Sequence, residues 1–195
     1  MTMTKYLKKI QAHVGVDDDG IYGPGTDEAI ARKLGLIEEP AKGSAIPDDY
    51  YPMLSKIESN DRPFVKASTS SASGLYQFIK STWIGEGGSW GPNKADAFGG
   101  LRPTAAEQLR RARTLTEKNA EILRRGNVPI NRASLYAAHF LGAGTATKVI
   151  AADVNERADL LAGPEATKAN RSILEGKTVG EFLSWLHRKT GEWAR

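Results

Sequence analysis

The chain has 195 residues, 40% of them hydrophobic, and a formal net charge of +4, which allows one domain of ordinary size and a small second one. It has no cysteine and three widely spaced histidines, His13, His139 and His187, which excludes disulfides, thiolate nucleophiles and Cys-ligated zinc. No metal or other cofactor is expected. No apolar run approaches the ~20 residues that cross a bilayer, and lysines near Met1 precede no apolar stretch, so no secretory signal is expected.

The charge is uneven. Residues 1–47 hold six Lys/Arg against seven Asp/Glu, a net −1, while the remainder holds 21 against 16, a net +5. The basic part suits an anionic polymer, against the plainer reading of a solvated surface with scattered charge. The basic residues are dispersed and carry no nucleic-acid motif, so nucleic acid is not expected as a partner.

In chain order, Leu7, Ile10 and Val14 fall at helical spacing. A turn-rich stretch over 15–25 follows, and Thr26 reads as the N-cap of a second short helix over 27–34 with acidic residues in its first turn. Ile10-Gln11 and Asp19-Gly20-Ile21-Tyr22-Gly23-Pro24-Gly25-Thr26 resemble the small helical peptidoglycan-binding domain. The resemblance implies a wall-binding module over 1–37, with Asp19, Gly20, Ile21, Tyr22 and Thr26 as its marker residues. The alternative is a small structural cap. Pro, Gly and charge without apolar periodicity make 38–47 a linker.

From residue 48 onward helical signals recur. The pattern predicts helices over 50–59, 75–83, 103–124, 131–141, 145–153, 164–170 and 179–189. A tight Gly142-Ala143-Gly144 turn separates two of them. Strand signals are scarce, and the expected class is all-α. Val179, Phe182, Leu183 and Leu186 follow the i, i+3, i+4, i+7 rule. This face is expected to pack on the domain; a membrane-active helix is the other reading.

Glu58 lies on the last turn of the helix over 50–59, followed by Ser59. A Ser-rich loop leads to Ala72-Ser73-Gly74-Leu75-Tyr76-Gln77-Phe78, with Ser81-Thr82-Trp83 behind it. Further on stands Leu135-Tyr136-Ala137-Ala138-His139-Phe140-Leu141-Gly142-Ala143-Gly144. These three elements, in this order, resemble the soluble lytic transglycosylases. The resemblance implies a lysozyme-like helical fold over 48–195 that cleaves the glycan of peptidoglycan and leaves 1,6-anhydromuramyl ends. It makes Glu58 the catalytic acid and base. It places Ser59, Ser73, Tyr76, Gln77, Tyr136, His139 and Phe140 around the glycan. His139 stands where the family usually has Tyr, Phe140 where it has Asn, and Tyr76 where Met is commoner. His139 would hold Glu58 through a ring nitrogen, or Tyr136 would do so from one turn earlier.

A glutamic acid that donates a proton near neutral pH needs an apolar setting, which Met53, Leu54, Ile57, Leu75 and Phe78 would supply. The muramidase pattern would require Asp and Thr at 67 and 73, where the chain has Ala67 and Ser73. Asp61, three residues past Glu58, reads as a solvated residue at the helix end; the remote Glu86 and Asp96 are the alternatives for a second carboxylate, and Trp90 and Phe98 are candidates for sugar stacking. A muramidase on the same fold, or a non-catalytic peptidoglycan-binding virion protein, are the rival readings. The expected partner is bacterial peptidoglycan and the expected state a monomer. Release by a holin or carriage in a virion would bring a phage-encoded chain to the wall.

Overall fold

The computed structural model describes residues 3–16, 18, 20–22, 26, 29, 30, 33, 34 and 45–195. Asp19, half of the predicted helix over 27–34 and most of the linker over 38–47 lie outside the described residues. The chain divides into two compact units, Met1–Lys42 and Gly43–Arg195.

In the first unit, α1 spans Met3–Val14. Gln11, 1% exposed, is its anchor. The Gln11 amide oxygen accepts from the Gly20 N–H at 2.8 Å, and Nε2 donates to the Ile21 carbonyl at 2.9 Å and to Thr26 Oγ1 at 3.2 Å. One buried amide thus uses both ends to fix the turn against the helix. Gly20 has φ +79° and lies against Thr4 and Lys8, which explains glycine at that position. Tyr6, Ile10, Ile21 and Tyr22 are exposed.

The second unit is helical: α2 Tyr50–Ser59, α3 Lys80–Gly85, a 3₁₀ turn at Ala97–Gly100, α4 Ala105–Arg125, α5 Arg132–Leu141, α6 Ala143–Ala151, α7 Ala158–Ala162, α8 Pro164–Ala169, α9 Arg171–Leu174 and α10 Val179–Thr190. Among the described residues, extended pairing is confined to isolated bridges, so the class is all-α. Residues 133–138 of α5 are all buried. A helix apolar all round belongs at the centre, and α5 packs against α4, α6 and α10. Its alanines at 133, 137 and 138 allow these close approaches.

Polar side chains define the helix starts. Thr104 Oγ1 accepts from the Glu107 N–H at 3.1 Å. Asn131 with Ser134, and Thr178 with Glu181, form reciprocal capping boxes. Each cap contributes about 1 kcal/mol. Val179, Phe182, Leu183 and Leu186 are buried in the core, so the apolar face of α10 is used internally. Among the described residues no helix is long and apolar enough to cross a membrane.

Three sequence expectations need correction. The helix predicted over 75–83 is α3 alone. Residues 74–77 instead form a turn, closed by Ser73 and Phe78 exchanging backbone hydrogen bonds at 3.0 Å. The helix predicted from 145 begins at Ala143, and only Gly142, at φ +80°, makes the turn. The short helices α7 and α9 went unread, being too brief to establish a period.

Candidate active site

The end of α2 is closed by side chains and backbone together. The Asn60 N–H bonds the Lys56 carbonyl at 3.2 Å and the Asp61 N–H bonds the Ser55 carbonyl at 3.3 Å, a Schellman-type closure. Asn60 and Asp61 both take left-handed backbone, φ 53° and 61°, which Asn and Asp tolerate best among non-glycine residues. Ser59 Oγ donates to the Ser55 carbonyl at 3.0 Å and accepts from the Arg62 N–H at 3.2 Å. Glu58 therefore projects from a fixed helix end. Its side chain is 18% exposed.

Three groups converge on it. His139 Nε2 lies 3.8 Å from Glu58 Oε1. The Tyr136 hydroxyl, one turn earlier on α5, is within reach to donate a hydrogen bond to the same carboxylate. Tyr50, buried two turns before Glu58 on the same face of α2, also feels its charge. Burial first, then the Glu58 charge and hydrogen bond, push the Tyr136 phenol well above its ordinary range. The Tyr50 phenol is raised too, by burial, then by Tyr51, Glu58 and Tyr136. Both phenols stay protonated, and that of Tyr136 serves as the donor to Glu58.

His139 is held below its ordinary value by burial, which outweighs the Glu58 charge and a hydrogen bond to the Tyr76 backbone carbonyl. The ring is therefore neutral at neutral pH. The site presents a carboxyl group beside a neutral imidazole and a phenol, and among the described residues no Lys or Arg pairs with it. The Tyr76 carbonyl comes from the turn over 74–77, so α2, α5 and that turn meet at one point.

The other expected site residues have different positions. Ser73 is 0% exposed and its Oγ donates to the Ser71 carbonyl at 2.9 Å and accepts from the Phe98 N–H at 3.2 Å. Ser59 is 3% exposed. Both were expected among the glycan-contacting residues; both are buried and bonded internally, and support the loop. Gln77 Nε2 donates to the carbonyls of Gly74 at 3.0 Å and Val65 at 3.3 Å, which fixes its own φ of +46° and tightens the turn. Tyr76 is 5% exposed, with its phenol raised by burial and by Asp61. Phe140 is half-buried in an aromatic cluster with Trp185, at 5.0 Å between centroids, and Phe182, at 6.3 Å. Tyr136 stacks on the same Trp185 at 5.8 Å. Phe98 is fully buried, 4.6 Å from Trp83, and half-buried Trp90 meets it edge-on at 5.8 Å. Phe98 is thus core rather than a sugar platform.

No protein-family model matches the chain.

Asp61 and the two candidate second carboxylates, Glu86 and Asp96, have partners of their own. Asp61 accepts from Ser55 Oγ at 2.8 Å and pairs with Lys56 at 3.4 Å. Glu86 is held by Lys118 at 2.9 Å, and Asp96 by Asn93 Nδ2 at 2.7 Å. Among the described residues no group of three His, Cys, Asp or Glu could hold a metal ion. A surface hollow of about 510 Å³ in the second unit involves Asn155, Ile173, Trp185 and Arg188 rather than Glu58.

Tyr50 was not among the expected site residues. The signal was present, since residues 50, 54 and 58 share one helix face. In the first unit the sequence marks Gln11 only as part of a pattern, although it ties Gly20, Ile21 and Thr26 together. Ile21 and Tyr22 are exposed there, and Thr26 is buried.

Proposed function

We propose that the chain is a peptidoglycan lytic transglycosylase, with a lysozyme-like helical domain over 48–195 and a wall-binding module at its N-terminus. The observation that carries this reading is the arrangement at Glu58. A mostly buried carboxyl faces the Tyr136 hydroxyl and a neutral His139, while Asp61, Glu86 and Asp96 are bonded elsewhere.

One carboxyl suffices for transglycosylation. Glu58 first gives its proton to the glycosidic oxygen as the bond from the muramyl anomeric carbon breaks. The resulting carboxylate takes the proton of the muramyl C6 hydroxyl, and that oxygen bonds the anomeric carbon. No water is consumed, and Glu58 ends protonated. The Tyr136 hydroxyl stabilises the transient carboxylate. The neutral His139 orients it without adding a positive charge, which would hold the anion and remove the acid. The net charge of +5 over residues 48–195 favours an anionic wall. The exposed Ile21 and Tyr22, on a turn braced by Gln11, support a binding role for the first unit.

The test is Glu58→Gln, which keeps shape and polarity but cannot cycle a proton. Turbidity clearing of purified walls should fall at least ~100-fold, the low end for general acid–base catalysis, with unchanged circular dichroism. Clearing near the wild-type rate by a folded Glu58→Gln protein would refute the assignment.

A further inference from the structure

Gln108, on the first turns of α4, is 0% exposed, and its amide has three main-chain partners. Oε1 accepts from the Leu75 N–H at 2.8 Å. Nε2 donates to the Pro63 carbonyl and to the Pro103 carbonyl, each at 3.1 Å. The partners fix the orientation of the amide, because a flipped group would set its NH₂ against an N–H and its oxygen against two carbonyls. These contacts join three segments: the chain just beyond Glu58, the turn over 74–77, and the entry to α4. Gly74 lies so close that a Cβ there would strike the Gln108 amide oxygen and the Phe98 ring.

Leu75 directly precedes Tyr76, whose carbonyl meets His139. We propose that Gln108 is a positioning residue for the Glu58 site, holding the Leu75 N–H and with it the turn over 74–77, so that the Tyr76 carbonyl fixes the His139 ring beside Glu58. The inference rests on the reading of Glu58 as the reacting group only for its catalytic consequence; the effect on the His139 ring stands apart from it. His139 faces Glu58 from α2 and the Tyr76 carbonyl from the turn, with Tyr136 one turn before it on α5. Burial is the largest influence on the ring, so releasing the turn that covers it raises its titration midpoint toward the ordinary value.

The experiment uses the full chain with labelled imidazoles and follows the His139 ring by NMR from pH 4 to 8, together with kcat and KM for soluble glycan chains. Gln108→Met keeps the bulk and removes all three bonds. The expected result is a folded protein with a raised His139 midpoint and a kcat at least ~10-fold lower at little-changed KM, about the loss expected for one bond to a buried group. Gln108→Asn keeps an amide but withdraws it by one methylene from the Leu75 N–H; it provides the same two readings if the Met variant does not fold. A folded variant whose His139 midpoint equals that of wild type overturns the inference. If the midpoint moves but wild type itself cleaves no glycan, the positioning stands and the catalytic reading of Glu58 fails.

Discussion

Tyr136→Phe isolates the group that should matter most beside Glu58. The residue is 4% exposed and its ring stacks on Trp185, so phenylalanine keeps the packing and loses one oxygen. The lost interaction is a hydrogen bond from a buried phenol to a carboxylate. Bonds to charged partners contribute about 1.5–3 kcal/mol. In the proposed mechanism the carboxylate forms as the glycosidic oxygen takes its proton, so the loss should fall mainly on the transition state and hence on kcat. At 1.36 kcal/mol per decade this is about a 10- to 150-fold lower kcat. KM should change little, because the hydroxyl is turned to Glu58 rather than to solvent. Clearing of purified walls and turnover of soluble glycan chains give the two constants, and thermal melting controls for folding. A folded Tyr136→Phe protein with wild-type kcat would refute the claim that this hydroxyl stabilises the Glu58 anion.

The neutral state of His139 sets the pH behaviour. Its folded value lies below the ordinary 6.5, so activity should hold as pH falls through 6.5 and drop only when the buried ring charges. Over the same window the unfolded chain binds a proton that the folded chain does not, so stability should decline as pH falls from 6.5 toward the folded value. A pH–rate profile and melting curves check both, and His139→Ala should remove the stability decline and lower the rate without abolishing it. Gly74→Ala would place a methyl against Phe98 and Gln108 at φ +78°. A cost of about 2 kcal/mol or more is expected, lowering the melting temperature by roughly 4–8 °C. Removing residues 1–42 should reduce sedimentation with intact sacculi while leaving cleavage of soluble chains; equal sedimentation would make the first unit a structural cap.

What was readable in the sequence was local. The helix carrying Glu58 follows from its apolar face at 50 and 54, and α4 and α10 follow from period and caps. The run Gly74-Leu75-Tyr76-Gln77-Phe78-Ile79 was not readable, because a short apolar stretch suits a helix or a bridged turn equally. Its outcome is set by Gln77, which bonds the Gly74 and Val65 carbonyls and accepts positive φ. Ser59 and Ser73 fall at the positions the pattern assigns, yet burial turns them from ligand contacts into supports. Gln108 carried no local signal, since Leu75 and Pro63 lie 33 and 45 residues away. His139 and Tyr136 were legible as candidates from their segment. That the imidazole is neutral follows only from burial, which a sequence does not display.

In the proposed reaction one carboxyl cleaves glycan without water. Mass analysis of the soluble products from digested, purified sacculi tests it most directly, with Glu58→Gln as the blank. The expected products are muropeptides ending in 1,6-anhydromuramic acid. Products that are mainly reducing ends, heavier by one water, would contradict it and require a second group near Glu58 to activate that water.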